Sequence, residues 1–181
     1  MATDNQRPKY SPDEVKQHIA RIQEITDKVK KGKKSDDQNV TVITPEEIDR
    51  KLRRVNSPMI VGQGWNSAPP NGTINYSVTI YNPDPTQAIW TFAHVFVGSG
   101  NVDPVTGTFL LNVDSRFPRL TQPDFAGMTI ASLASVTQTF AIKVPANVEK
   151  TNYLGNTCLM QFNWHDIGTY LDRSVFVFKV V

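Results

Sequence analysis

The chain has 181 residues, 39% of them hydrophobic, and a formal net charge of +2, which suits one packed core of ordinary size with an appendage rather than two full domains. So balanced a charge gives no ground for nucleic acid or an anionic membrane as partner. The single cysteine, Cys158, excludes an internal disulfide, and no run approaches the ~18 apolar residues of a membrane span.

Charge is unevenly spread along the chain. Residues 1–56 hold 13 Lys and Arg with 10 Asp and Glu, whereas residues 57–181 hold 6 and 7. That contrast separates a solvated N-terminal segment from one able to bury itself. The boundary is placed at Asn56-Ser57-Pro58, with a charged helical arm and linker over 1–57 and a β domain over 58–181. The start, Met1-Ala-Thr-Asp, lacks the basic and apolar regions of a secretory signal, so a cytoplasmic location is the default expectation.

In chain order, Ser11-Pro12-Asp13-Glu14 opens a helix, with a hydroxyl cap, proline in the first turn and glutamate three residues after the cap. The helix is expected to run to about Lys30. Val15, Ile19, Ile22, Ile25 and Val29 draw one apolar stripe along it, and Lys28, Lys30 and Lys31 suit the negative end of its dipole. An isolated helix of this length is marginal in water, so the stripe needs a partner. Three are open: the chain's own sandwich, the same helix of a second copy, or another protein.

Lys30 to Lys34 and the Ser-Asp-Asp that follows read as a solvated connection, with Gly32 ending the helix. No aromatic residue interleaves the lysines, as nucleic-acid binding would favour, so no nucleic acid is expected. After the apolar run Val40-Thr-Val-Ile43, the helix-start signature recurs at Thr44-Pro45-Glu46-Glu47, ahead of Ile48, Leu52 and Val55 on one side.

From Pro58 the period becomes two. Ile74, Tyr76, Val78 and Ile80 alternate with Asn75, Ser77 and Thr79, the pattern of a half-buried strand. Similar runs at 59–65, 88–97, 106–111, 136–144, 157–165 and 174–181 give about seven strands separated by Gly, Pro, Asn and Asp turns. The expected fold is mainly β, an immunoglobulin-like antiparallel sandwich with an N-terminal helical extension.

The stretches Gly72 to Asn82 and Ser135 to Pro145, with Tyr153 ahead of the strand from Cys158 to Asp166, resemble bacterial immunoglobulin-like adhesion modules of the CARDB type. The resemblance covers 61–181 and implies a non-enzymatic binding or spacer role. The chain departs from those modules at Asn82-Pro83, where they often carry a glycine turn, and in its helical leader.

Chemistry is sparse. His18, His94 and His165 are scattered and no second cysteine joins them, so no metal site or other cofactor is expected. His165-Asp166 has no serine presented in a Gly-x-Ser-x-Gly elbow, and no glycine-rich phosphate loop occurs, so no enzyme activity is expected. Asn39-Val-Thr41, Asn71-Gly-Thr73 and Asn75-Tyr-Ser77 fit the glycosylation triplet, which has no meaning without export. Trp65 and Trp90 are candidates for a sugar-stacking platform, against the alternative that they are core; Trp164 continues the alternation of Cys158, Met160 and Phe162 and is expected in the core.

The 17 residues from Asn112 to Met128 lack a period. Arg116, Phe117, Arg119 and Phe125 there have the composition of an interface hot spot, or else the two phenylalanines pin the loop to the sandwich. The sequence thus reads as a binding or assembly protein that engages a protein partner or itself through the helix stripe and this loop. A shell subunit and a carbohydrate-binding module are the alternatives.

Overall fold

The computed structural model describes residues 10–33, 35–53, 58–102, 109–123, 127–161 and 169–181. Helix α1 spans Pro12–Lys31, strand β1 Asn39–Val42 and helix α2 Pro45–Leu52. The strands that follow are β2 (Met59–Trp65), β3 (Thr73–Tyr81), β4 (Ile89–Val102), β5 (Phe109–Val113), β6 (Leu120–Gln122), β7 (Met128–Ile130), β8 (Ser135–Lys143), β9 (Asn152–Gln161) and β10 (Thr169–Lys179). They form two antiparallel sheets, one of four strands in the order β1-β2-β3-β8 and one of six built on β10-β9-β4-β5, with β6 and β7 also on β4. The fold is the expected antiparallel β-sandwich with an N-terminal helical extension.

Both helices start where their capping boxes place them. The Ser11 hydroxyl accepts from the Glu14 N–H while the Glu14 carboxylate accepts from the Ser11 N–H, and Thr44 and Glu47 repeat the exchange. The Gly32 N–H bonds back to Lys28 O at the other end of α1.

Between the sheets, Ile74, Tyr76, Val78 and Ile80 of β3 meet Ala93, Val95 and Val97 of β4, Leu159 of β9 and Phe176 and Phe178 of β10. The Tyr76 ring stacks on Phe176 with centroids 4.1 Å apart, and its buried hydroxyl donates to Gln63 Oε1 and meets Thr157 Oγ1. Gly155 is required by this packing, because a Cβ there would overlap the Phe176 ring.

Among the described residues ten strands stand where about seven were expected. β1 adds to the edge of β2 over Asn39↔Trp65 to Val42↔Gly62. β6 lies within the stretch read as an irregular loop, and β7 begins at its last residue. They continue the edge that β5 begins: β5 pairs Gly98 to Val102 of β4, β6 pairs Ala93 to Val95, and β7 pairs Ile89 to Thr91. One long strand is thus matched by three short ones, with Pro118 and Pro123 falling outside them.

The arm of the sequence reading is packed on the sandwich. β1 belongs to its sheet, while α1 and α2 close over the outer face of β2 in a cluster of Ile22, Ile48, Leu52, Met59, Val61 and Tyr81. The boundary placed between residues 56 and 58 abuts residues outside the described set. Val55, Phe125, Phe162, Trp164, His165 and Asp166 also lie outside it, as does the start of the 106–111 run.

Candidate functional site

The stripe of α1 is occupied by the chain itself. Ile22 is 0% exposed, and Val15, Ile19 and Ile25 pack against the cluster that joins α1, α2 and β2. Val29 stands over Gly62, where a Cβ would come within 3.2 Å of its methyl groups. The buried His18 fixes the register of the helix. Its Nδ1 lies 2.9 Å from the Tyr81 hydroxyl and its ring meets Tyr10 edge-on. Burial, and then the Arg21 charge, hold this imidazole below its ordinary pKa. Burial pushes the Tyr81 phenol up to about 12. Of the three partners open for this face, the sandwich is the one that covers it.

The expected loop anchors divide. Phe117 lies in the core against Tyr153 and Phe178, so its ring pins the turn and is withheld from any partner. Arg116 closes the same end of the sandwich. It bonds Asp114, Glu149 and the Asn147 carbonyl, and Tyr153 donates to the same Glu149 carboxylate. Those bonds, the one from Arg116 foremost, hold the Glu149 carboxyl down to about 2. Arg119 behaves differently. It is exposed, and its guanidinium stands 4.9 Å from the Phe96 ring centroid, a cation–π contact.

The sugar platform is overturned by the tryptophans' positions. Trp65 is buried between the sheets, tilted against Phe176, with its Nε1 donating to Val177 O. Trp90 belongs to the opposite face of the six-stranded sheet, edge-on to Phe92 and close over Gly127, which sits at φ +69. Two rings in different layers cannot stack one sugar.

On the outer face of the six-stranded sheet the centre is sealed, with Phe92 0%, His94 2% and Cys158 4% exposed, and the surface left for recognition lies around it on β5 and β10. β4 is apolar on both sides: Ala93, Val95 and Val97 enter the core while Trp90, Phe92, His94 and Phe96 line the outside. Along this outer row Phe92 meets His94 edge-on at 5.0 Å, and His94 Nδ1 contacts the Thr121 hydroxyl of β6. Register places Cys158 beside His94, Asn156 beside Phe96, and Leu154 beside Gly98. Across β9 the same rows continue into Arg173, Val175 and Val177 of β10. Val113, Val177 and Val175 are 54%, 48% and 37% exposed. Outward strand positions on an uncovered sheet are ordinarily polar, and a contiguous exposed apolar area is a mark of interaction.

A depression of about 500 Å³ opens in this face, lined by Phe96, Leu111, Val113, Asn156, Cys158, Leu171, Asp172 and Arg173. Its polar groups are few and unlike one another. Asp172 is neutralised, its Oδ2 accepting from Lys51 Nζ and the Ile60 N–H. Burial pushes the Cys158 thiol up to about 11, which leaves it a small hydrophobe rather than a nucleophile. Asn156 Oδ1 is shut off from solvent and accepts no hydrogen bond from any described residue. Arg173 is exposed, with no carboxylate of a described residue within salt-bridge distance.

The sequence reading missed this face, although a signal for it was present. Ile89-Trp-Thr-Phe-Ala-His-Val-Phe-Val97 carries no alternation between polar and apolar residues, unlike Thr73 to Tyr81, and a strand apolar on both sides has two surfaces to cover.

No helix among the described residues is long and apolar enough to cross a membrane. No protein-family model matches the sequence, and no curated protein matches it. Solved structures do. The C-terminal domain of wzt is similar at 10% identity over 81% of this chain and 80% of that one, with a TM-score of 0.50. The sporulation control protein Spo0M from Bacillus subtilis matches at 12% identity over 70% of this chain and 50% of its own, with a TM-score of 0.45. A CARDB domain from Pyrococcus furiosus, solved in complex with di-metal ions, matches at 13% identity over 69% of this chain and 86% of its own, with a TM-score of 0.40. At this identity the likeness is one of fold: the chain is an immunoglobulin-like β-sandwich, and the CARDB type that its strands resemble is represented among the similar structures.

Proposed function

We propose that the protein is a non-enzymatic binding module that recognises an anionic, apolar partner through the outer face of its six-stranded sheet. The observation that carries this reading is the exposed Val113, Val175 and Val177 of β5 and β10, together with the half-buried Phe96 and Leu111 and flanked by Arg119 and Arg173. Among the described residues of that face the one carboxylate, Asp172, is already paired with Lys51, so the face is apolar at its centre and cationic at its sides. Charge complementarity of this kind selects an acidic partner and speeds its encounter.

A binding role fits better than catalysis. His18 and His94 are buried on opposite sides of the sandwich, each against a hydroxyl. The helical arm, with its apolar side covered, supports the module rather than engaging the partner.

The test is amide chemical-shift mapping against four probes: short acidic apolar peptides, neutral oligosaccharides, acidic oligosaccharides, and the protein itself over a concentration series. The expected result is that an acidic probe moves amides of β4, β5, β9 and β10 around Phe96 and Asn156, while the neutral oligosaccharides and the protein itself do not. If none moves them, or the shifts gather on α1, the reading fails.

A further inference from the structure

The two margins of the six-stranded sheet differ. At one side β4 carries short partners, whereas the other side ends on β10. We infer that the β10 margin is a docking groove for an extended peptide, which adds to β10 as a further antiparallel strand with an acidic side chain opposite Arg173. The groove lies at the edge of the sheet, beside the outer face, and stands whether or not that face binds.

The bonding of β10 shows which of its backbone groups are open. Val180 donates its N–H to Thr151 O, and the same register sets Phe178 against Tyr153, Phe176 against Gly155 and Ser174 against Thr157. In an antiparallel ladder, pairs that exchange bonds alternate with pairs that do not. The even-numbered residues therefore bond β9, and Arg173, Val175 and Val177 turn their N–H and C=O groups to the margin. Two bonds agree with that direction: Val177 O accepts from Trp65 Nε1, and Lys179 O accepts from the Ala68 N–H. Among the described residues nothing bonds the backbone of Arg173 or Val175 on that side. An extended segment laid alongside supplies the missing partners.

There is room for one strand. Across the sandwich β2 lies against β10, with Gln63 Nε2 donating to Ser174 Oγ and the Ile60 N–H to Asp172. β1 is the next strand of that sheet, so it overhangs the margin. Beneath it runs a groove of about 260 Å³, bounded by Thr41 and Ile43, by Arg50 and Lys51 of α2, and by Arg173 and Val175 of β10. The overhang decides against a second copy. Two β10 strands paired antiparallel about a two-fold axis would bring the two β1 strands into the same space. A lone peptide strand meets no such obstacle.

Cross-strand neighbours set the side chains. Residues directly opposite one another share a face, so alternate residues of the added strand stand beside Val177, Val175 and Arg173, all of which are exposed. The first two positions call for apolar side chains. The third calls for a carboxylate, because Arg50 is 3.8 Å from Glu47 and Lys51 holds Asp172, which leaves the Arg173 charge to the ligand. A guanidinium presents a fork that fits a carboxylate.

The test adds a blocked peptide, acetyl-Thr-Val-Thr-Val-Thr-Glu-Thr-amide, to the full chain and follows amide hydrogen exchange by NMR. In the free protein the Val175 amide is expected to exchange at least about tenfold faster than that of Phe176, and saturating peptide is expected to slow it about tenfold or more. N-methylation of the second peptide Val, whose N–H faces β10, is expected to weaken binding about tenfold or more. N-methylation of the Thr after it, whose N–H points away, is expected to change binding by less than about threefold. Gln in place of the peptide Glu, or Arg173→Gln in the protein, is expected to weaken binding about threefold or more. Val175→Pro removes an outward N–H and no ladder bond, so it is expected to fold and to lose the peptide.

A Val175 amide already protected in the free protein overturns the inference. So does equal binding of the peptide methylated at its second Val, or a Val175 amide left unprotected at the highest peptide concentration. Equal binding of the Gln peptide overturns the acidic assignment. Shifts that gather around Phe96 without protection of Val175 overturn the groove and leave the outer face as the recognition surface. Protection that rises with protein concentration alone gives the margin to a second copy and overturns the peptide.

Discussion

The two outer faces of this sandwich met different fates. On the four-stranded sheet, Met59, Val61 and Tyr81 are covered by α1 and α2 of the same chain, and Ile22 and Ile48 are all but sealed. On the six-stranded sheet Phe92 and Cys158 at the centre are sealed as well, yet Val113 of β5 and Val175 and Val177 of β10 remain open. Covering the first face stabilises the fold by about 1.5–3 kcal/mol for each large side chain fully buried. Among the described residues the second forgoes it at those three valines alone.

The contrast is broken most severely at Ile22. Ile22→Asp puts an unpaired carboxylate where no water reaches, and is expected to destabilise by about 4 kcal/mol or more, or to abolish cooperative unfolding. Urea denaturation followed by circular dichroism measures it. If Ile22→Asp left stability unchanged, α1 would not be docked as described.

Lys51→Met comes next. It strands Asp172, which also accepts from the Ile60 N–H, and breaking a buried pair on one side costs about 3–5 kcal/mol. The same denaturation assay reads it, and an additional Asp172→Asn replacement is expected to recover part of the loss. Gly155→Ala acts between the two faces. Its Cβ must displace the Phe176 ring, at about 1–3 kcal/mol, with a change in the near-ultraviolet spectrum as the aromatic stack shifts.

Acidification affects both faces through one histidine each. Burial foremost, then Arg21 for His18 and Arg119 for His94, lower the two pKa values below the unfolded value of 6.5. The unfolded chain therefore takes up protons first. Their contribution is fully present above about pH 6.5 and is lost as the pH falls through the folded values. Urea midpoints at pH 5 are expected below those at pH 7.5, and His18→Gln is expected to flatten the dependence. The smallest effect belongs to the open face. Val177→Asp is expected to change stability by no more than about 0.5 kcal/mol in the same urea assay, and a loss as large as that at Ile22 would mean the second face is covered too.

How much was legible in the sequence follows from segment length. Thr73 to Tyr81 shows its alternation over nine residues, and both capping boxes stand complete in four letters, at Ser11 to Glu14 and Thr44 to Glu47. β6 and β7 have three residues each, too few to display a period; the first was read as loop and the second was not recognised. Docking of α1 was undecidable from its stripe, because the apolar spacing is the same whatever covers it. At the candidate site Arg119 was named for its charge. Asn156, Arg173 and Phe96 went unseen, because three strands distant in sequence bring them together. The Gln63–Tyr76–Thr157 hydrogen bonds inside the core were hidden for the same reason.

The piecemeal partnering of β4 bears on strand addition at one margin of the sheet. A fourteen-residue strand with an unbroken neighbour would present a long straight rim, the kind of template on which chains add to one another and precipitate. Here the rim is made of β5, β6 and β7, interrupted by Pro118 and Pro123, neither of which can donate to an incoming strand. A stranger's backbone finds short footholds there instead of a continuous ladder. At this margin the six-stranded sheet is a poor place for growth, whereas its other margin is the single strand β10.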